Sequence, residues 1–266
     1  MSFGERSRET VIFNAARVAL LALFVAAWAL ASGRVVDDFW ISSPSAVFDY
    51  LRTGLLDGPL VQHTVVTLQE VILGLVPGIV LGLLLGVVLA ELRWLGRLLD
   101  PLLLALNGIP RVALGPLLIV WFGIGMTSKV VLVFSLVLFV VFFNTYAGIQ
   151  NVDQSYVRIG RALGATRFQL FRSVILPATT PWFFAGVKIA IPYALVGALV
   201  GEFIASNEGL GYLVQYNANL YNSTASIAII LYLAILTMVL NEIANVLYRL
   251  LWRAPAQAAV TTTAAA

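Results

Sequence analysis

Glu70, Asn107, Arg111, Asn144, Lys188, Glu202 and Glu242 stand in stretches of this sequence that are otherwise apolar. An ionised group in hydrocarbon costs at least ~2.5–3.5 kcal/mol, so such residues persist where they line a path, relay charge or tie helices together. Two readings stand. In one, Asn107, Arg111, Asn144, Lys188 and Glu202 line a polar path, and Arg111, just after Pro110, would admit an anionic solute. In the other, Arg111 and Lys188 snorkel, or pair with Glu70, Glu202 or Glu242, and only hold helices together.

Other chemistries lack their residues. There is no cysteine and one histidine, His63, so disulfides, thiolates and Cys/His metal sites have no ligands. No catalytic set, metal site or cofactor is expected. A phosphate-binding loop needs Gly-Lys followed by Ser or Thr, whereas Lys129 and Lys188, the two lysines, follow Ser128 and Val187. Any ATP hydrolysis must come from another chain. An intramembrane protease is disfavoured because no Gly-x-Ser-Gly nucleophile motif exists.

Membrane helices must position these groups. The 266 residues are 61% hydrophobic and 11% charged, against roughly 25% charged in a soluble domain. So few charges cannot cover a water-facing surface. The sequence predicts an all-α polytopic membrane helical bundle of about six transmembrane helices, over residues 11–31, 64–89, 102–122, 129–149, 182–204 and 225–248. A signal peptide is the alternative for the first stretch, given Arg6, Arg8 and Ala29-Leu30-Ala31. Its apolar run exceeds the ~7–15 residues of a signal core, so it is read as a retained span.

With the N-terminus inside, Arg6, Arg8, Arg93, Arg97, Arg158, Arg161, Arg167, Arg172, Arg249 and Arg253 face the cytoplasm, and only Arg34, Arg52 and Lys129 lie outside. That bias places both termini in the cytoplasm. The net charge of +3 is spread between spans, which suits membrane lipid and not nucleic acid. Residues 1–41 read as a tail and first helix, 42–255 as the core with a cytoplasmic loop at 150–178, and 256–266 as a disordered tail. Gly74, Gly78, Gly82 and Gly86 make a smooth ridge for close helix packing. On the outer side, Ser43 caps a helix beginning at Pro44, with Val47, Phe48 and Leu51 on one face.

The cytoplasmic loop reads as helix, break, helix. Gly164 ends the first helix, Thr166 and Gln169 form a capping box opening the second, and Pro177 stops that helix before the fifth span. Such an elbow suits docking into a groove on a cytoplasmic partner; an amphipathic segment lying on lipid is the alternative.

The loop resembles the cytoplasmic motif of bacterial binding-protein-dependent ABC importer permeases: Glu-Ala-Ala, three residues, Gly, nine residues, Ile, one residue, Leu-Pro. Gly164, Val174, Leu176 and Pro177 fall at that spacing, while Arg158, Ile159 and Gly160 replace the opening triplet. Ser43-Pro44-Ser45, Ile109-Pro110, Trp121-Phe122-Gly123-Ile124-Gly125, Gly201-Glu202-Phe203 and Gly209-Leu210-Gly211-Tyr212 are similar to the nitrate, sulfonate and taurine branch, whose members also carry bicarbonate or thiamine precursors. The resemblance implies a permease paired with a second copy of itself, with two cytoplasmic ATPase subunits that bind ATP and magnesium and an external solute-binding protein. It implies that Arg158, Arg161, Ala162, Leu163, Gly164, Ala165, Phe168 and Gln169 form the ATPase-coupling elbow. It also implies that the segment from Asn207 to Tyr216, with Glu202 and Tyr212, dips back as an outer gate. An ion-coupled secondary transporter is the rival; it usually shows two matching halves with broken spans, and no convincing internal repeat is visible.

Overall fold

The computed structural model describes residues 3–56 and 58–251. The tail at 256–266 and Arg253 lie outside the described residues, as do the side chains of Arg6, Arg8 and Arg93. In hydrocarbon a backbone must satisfy its own hydrogen bonds, and the described chain is helical nearly throughout. Its elements are α1 (Phe3–Ala31), α2 (Asp38–Ile41), α3 (Pro44–Leu56), α4 (Leu60–Glu91), α5 (Arg93–Gly108), a 3-10 turn (Arg111–Leu114), α6 (Gly115–Phe122), α7 (Met126–Gln150), α8 (Gln154–Ala162), α9 (Arg167–Leu170), a π turn (Phe171–Ile175), α10 (Leu176–Ala205), α11 (Leu210–Asn219) and α12 (Ser223–Leu251). This is an all-α, multi-pass membrane bundle. Leu60–Glu91, Met126–Gln150, Arg167–Ala205 and Ser223–Leu250 are each long and apolar enough to cross a bilayer, and Ala15–Ala31 is a shorter apolar helix.

Two expectations need correction. The stretch at 102–122 is not one helix but a broken pair, Trp94–Gly108 and Arg111–Phe122, bent by 74°. Pro110 lacks an N–H and pushes Ile109 into extended backbone, φ −69 and ψ 125, which a helix cannot pass through. Conversely, Pro177 does not stop its helix: Arg167–Ala205 runs on for 39 residues. The π turn just before Pro177 shifts the bonding register, with Leu176 N–H reaching Phe171 O, and a proline in the first turn of the following helix is tolerated.

The chain divides into two compact units. The first comprises the chain up to Ile72, Val112–Leu132 and Gly197–Ile235. In it, Trp28 Nε1 donates to the carbonyls of Ile41 and Ser42 at 3.1 Å, pinning α1 to the start of α3. Ser42 Oγ and Thr224 Oγ1, 2.7 Å apart, join that corner to α12. The Ser43 hydroxyl accepts the Ala46 N–H at 3.3 Å and Pro44 opens α3, as expected. Val47 is buried, but Phe48 is exposed, so the apolar face of α3 is narrower than its sequence implied.

The second unit comprises Leu73–Arg111, Val133–Val196 and the chain from Leu236. Here α7 is the central helix, with Val133, Val137, Val141, Phe142 and Thr145 fully buried or nearly so. On one side the expected ridge meets it: a Cβ at Gly78 would lie 2.7 Å from Val137 Cγ1, at Gly82 2.7 Å from Leu138 O, and at Gly86 2.8 Å from Thr145 Cβ. Gly148 packs on Trp182 and Gly186 on Asn144, so α10 approaches α7 as closely.

Candidate functional site

The densest polar cluster is in the first unit, at the start of α11. A helix N-terminus leaves backbone N–H groups without intrahelical partners, and here three side chains take them. Gly209 N donates to His63 Nδ1 at 2.8 Å, Leu210 N to Thr67 Oγ1 at 2.8 Å, and Gly211 N to Glu202 Oε2 at 2.5 Å. Thr67 Oγ1 in turn donates to Glu202 Oε1 at 2.7 Å. A buried carboxylate is thus held by a hydroxyl and by the positive end of a helix. Gly209 sits at φ +106, where any Cβ would also strike the Glu202 carboxylate. Tyr212 extends the cluster, its ring centroid 5.8 Å from that of His63 and 5.8 Å from that of Tyr216. Glu202 and Tyr212, expected to act together, are brought together.

Beside them lies a buried ion pair. Lys129 Nζ donates to Glu70 Oε1 at 2.5 Å and to Ser206 Oγ at 2.8 Å, with side chains 6% and 1% exposed for Lys129 and Glu70. Sequence reasoning placed Lys129 at the outer end of a span and missed this pair, along with Thr67 and His63. The available signal was that Glu70 and Lys129 each charge an otherwise apolar helix. Arg111 and Lys188 offered Glu70 the same match.

The glutamates considered as partners for Arg111 and Lys188 are engaged elsewhere: Glu70 with Lys129, Glu202 with α11, and Glu242 with Arg249 at 2.5 Å. In the second unit the Arg111 guanidinium lies 3.8 Å over the Phe139 ring and donates to Leu106 O at 3.1 Å. Lys188 is exposed, its Nζ 5.8 Å from the Tyr248 ring. Asn144 donates to Val140 O within its own helix at 2.8 Å, and Asn107 is exposed. Among the described residues no hydrogen bond or ion pair links these four to one another.

The loop folds as two short helices around a tight turn. Asp153 caps α8 by accepting the Ser155 N–H at 2.8 Å, and that bond holds its carboxyl below the usual carboxylate range. Gly164, at φ +80, closes α8: its N–H reaches Arg161 O at 2.9 Å and the Ala165 N–H reaches Gly160 O at 3.0 Å. That pair of bonds is a Schellman closure, which needs the left-handed backbone glycine adopts. Thr166 and Gln169 form the expected capping box, at 2.8 and 3.3 Å, so Gln169 is spent on the turn itself. Val152, Val157 and Leu170 make a small buried core beneath, against which Ala165, Val174 and Ile175 pack. Gly160, in the departing triplet, leaves room for Leu170, whose Cδ2 would be 2.5 Å from a Cβ there. Outward, Leu163 is 82% exposed and Phe168 70%, with Arg158 also exposed.

The family model for binding-protein-dependent transport system inner membrane components matches residues 78–255. The riboflavin transport system permease protein RibX of Chloroflexus aurantiacus is 39% identical over 215 residues, covering 81% of this chain and 80% of the relative. The formylaminopyrimidine transport permease protein ThiX of Halalkalibacterium halodurans is 32% identical over 231 residues, 85% of this chain and 91% of the relative. The taurine transport system permease protein TauC of Escherichia coli is 29% identical over 227 residues, 84% and 82%. A chain from inward-facing crystals of the MetNI methionine ABC transporter shares the fold, with a TM-score of 0.64 over 73% of this chain and 96% of its own at 22% identity.

Proposed function

The chain belongs to the family of binding-protein-dependent transport system inner membrane components, and we propose that force from separate ATPases enters it through the turn around Gly164. It is the membrane permease subunit of an ABC-type importer, a polytopic inner-membrane protein that takes a small solute from a periplasmic binding protein and is not itself an ATPase. In the proposed assembly it pairs with a second copy, two ATPase subunits seat underneath, and both termini are cytoplasmic. Counting α1 and the bent α5–α6 pair gives about six crossings.

The observation that carries this reading is the exposure of Leu163 and Phe168 on a capped, rigid turn outside the apolar spans. Large apolar groups held out on a rigid loop suit burial in a partner's groove. Arg158, Ala162, Leu163, Gly164, Ala165 and Phe168 fill that groove, while Arg161 and Gln169 shape the turn through the closure and the capping box. When the ATPases close on ATP they move this turn, and the bundle rocks between states of different affinity for them. Arg111, Asn107, Asn144 and Lys188 line the path, and α11, latched by Glu202 and carrying Tyr212, gates its outer end.

For the solute, a small anion such as a sulfonate, taurine or nitrate is supported by Arg111 and by the taurine relative. A planar heterocycle is the second reading, favoured by the riboflavin and formylaminopyrimidine relatives.

The test replaces Leu163→Asp and Phe168→Asp together. Co-purification of the ATPase is expected to weaken by at least about tenfold, since each side chain contributes a buried apolar surface, while helicity is unchanged. Undiminished assembly and uptake in that variant would refute the coupling role. Uptake that persists without the ATPase and collapses with a proton uncoupler would establish the ion-coupled rival.

A further inference from the structure

Two cavities adjoin behind the turn, both within the second unit. The larger, about 1080 Å³, lies among the α4–α5 junction, the end of α7 and the inward faces of α8 and α9, with Trp94, Arg97, Tyr146, Gln150, Arg161 and Arg167 in its lining. Glu91 is the one acidic group among its lining residues. The smaller, about 250 Å³, is walled mainly by apolar side chains, Leu83, Val87, Phe171, Leu176 and Phe184 among them, with Thr180 also in its lining. Ile149 and Ile175 line both, so a basic chamber and an apolar slot share a wall. On α8, Gln154, Val157 and Arg161 line the chamber at helical spacing, one face of the helix. Leu163 and Phe168 are exposed and line neither cavity.

We infer that the paired cavities hold an anionic phospholipid of the inner leaflet, its phosphate against Arg97, Arg161 and Arg167 and an acyl chain in the slot. Three arginines against one glutamate set a positive field suited to a phosphodiester, which guanidinium forks hold bidentately. A free phosphate would use the chamber alone; the adjoining slot of Leu, Val and Phe is what an acyl chain adds. Trp94, exposed beside the chamber, has the amphipathic character of interfacial aromatics. Basic pockets at the cytoplasmic ends of spans are where anionic headgroups concentrate. The inference rests on the cytoplasmic orientation proposed above. Its consequence is mechanical: a lipid wedged between the turn and α7 ties the position of the coupling segment to the leaflet.

The test is native mass spectrometry of the full chain with its ATPase, equilibrated with phosphatidylglycerol or with phosphatidylcholine. Phosphatidylglycerol is expected to be retained selectively. Arg161→Gln and Arg167→Gln are expected to lower that retention about fivefold each, and Thr180→Phe, which fills the slot, to lower it with the arginines intact. Equal retention of the two lipids, or undiminished retention in the double arginine variant, would overturn the inference. So would displacement of the lipid by millimolar glycerol phosphate, which would assign the chamber to a soluble anion. The same spectra report the ATPase: no lipid selectivity in the unsubstituted chain with the ATPase still bound sinks this inference alone, whereas a missing ATPase sinks the orientation and docking reading.

Discussion

Replacing Lys129 by methionine tests whether the ion pair in the first unit is a structural tie. The side chains of Lys129 and Glu70 are 6% and 1% exposed, so neither has bulk water to fall back on. Removing one partner of a buried pair costs about 3–5 kcal/mol, because the remaining charge stays buried and uncompensated. Here the remaining charge is worse placed than usual: the Glu202 carboxyl is close enough to Glu70 to interact with it electrostatically. Lys129→Met would leave two carboxyl groups together with no cation, so the upper part of that range, about 4–5 kcal/mol, is expected. Ser206 also loses a donor. Replacing both partners, Lys129→Met with Glu70→Leu, removes charge and countercharge at similar volume and is expected within about 1–2 kcal/mol of the parent chain. Along the double-mutant cycle, the double variant is therefore expected to be about 3 kcal/mol more stable than Lys129→Met alone. Chemical unfolding of the purified permease in detergent, followed by helical signal, measures each corner. A single variant that loses less than about 1 kcal/mol, or a double variant no more stable than the single, would refute the argument.

At the glycine ridge, Gly82→Leu is expected to destabilise by about 3 kcal/mol or more, since its Cβ would meet α7 backbone at Leu138 O. Gly108→Ala, where a Cβ meets nothing within 4 Å, is the control and is expected to be neutral or slightly stabilising in thermal unfolding. Arg111→Ala is expected to raise the half-saturating solute concentration in vesicle uptake about tenfold if the guanidinium bonds an anion in transit. Unchanged uptake kinetics with a lowered unfolding midpoint would assign Arg111 to its Phe139 contact alone. Gly164→Val needs φ +80 from a β-branched residue in otherwise open space. It is expected to uncouple ATP hydrolysis from uptake with the spans intact, and equal uptake in that variant would count against the turn as the coupling element.

The local chemistry of the turn was legible in advance because it is local. A glycine that must go left-handed, a Thr-x-x-Gln box and an outer Ser-Pro cap each act within about four residues. The ridge at Gly78, Gly82 and Gly86 was legible for a related reason, since small residues at every fourth position can only make one smooth face. The sequence did not say which helix that face meets. Pro110 and Pro177 show the limit of local rules: the same missing N–H breaks one helix and is absorbed by a π turn in the other, and the difference lies in the bonding register around each. Ion pairing was undetermined for a different reason. Arg111 and Lys188 faced three candidate glutamates, Lys129 stood at the outer end of a span, and charge alone cannot choose among them. Only the packing that sets Glu70 beside Lys129, and turns Glu202 toward the N-terminus of α11, decides which charges are neutralised inside the fold.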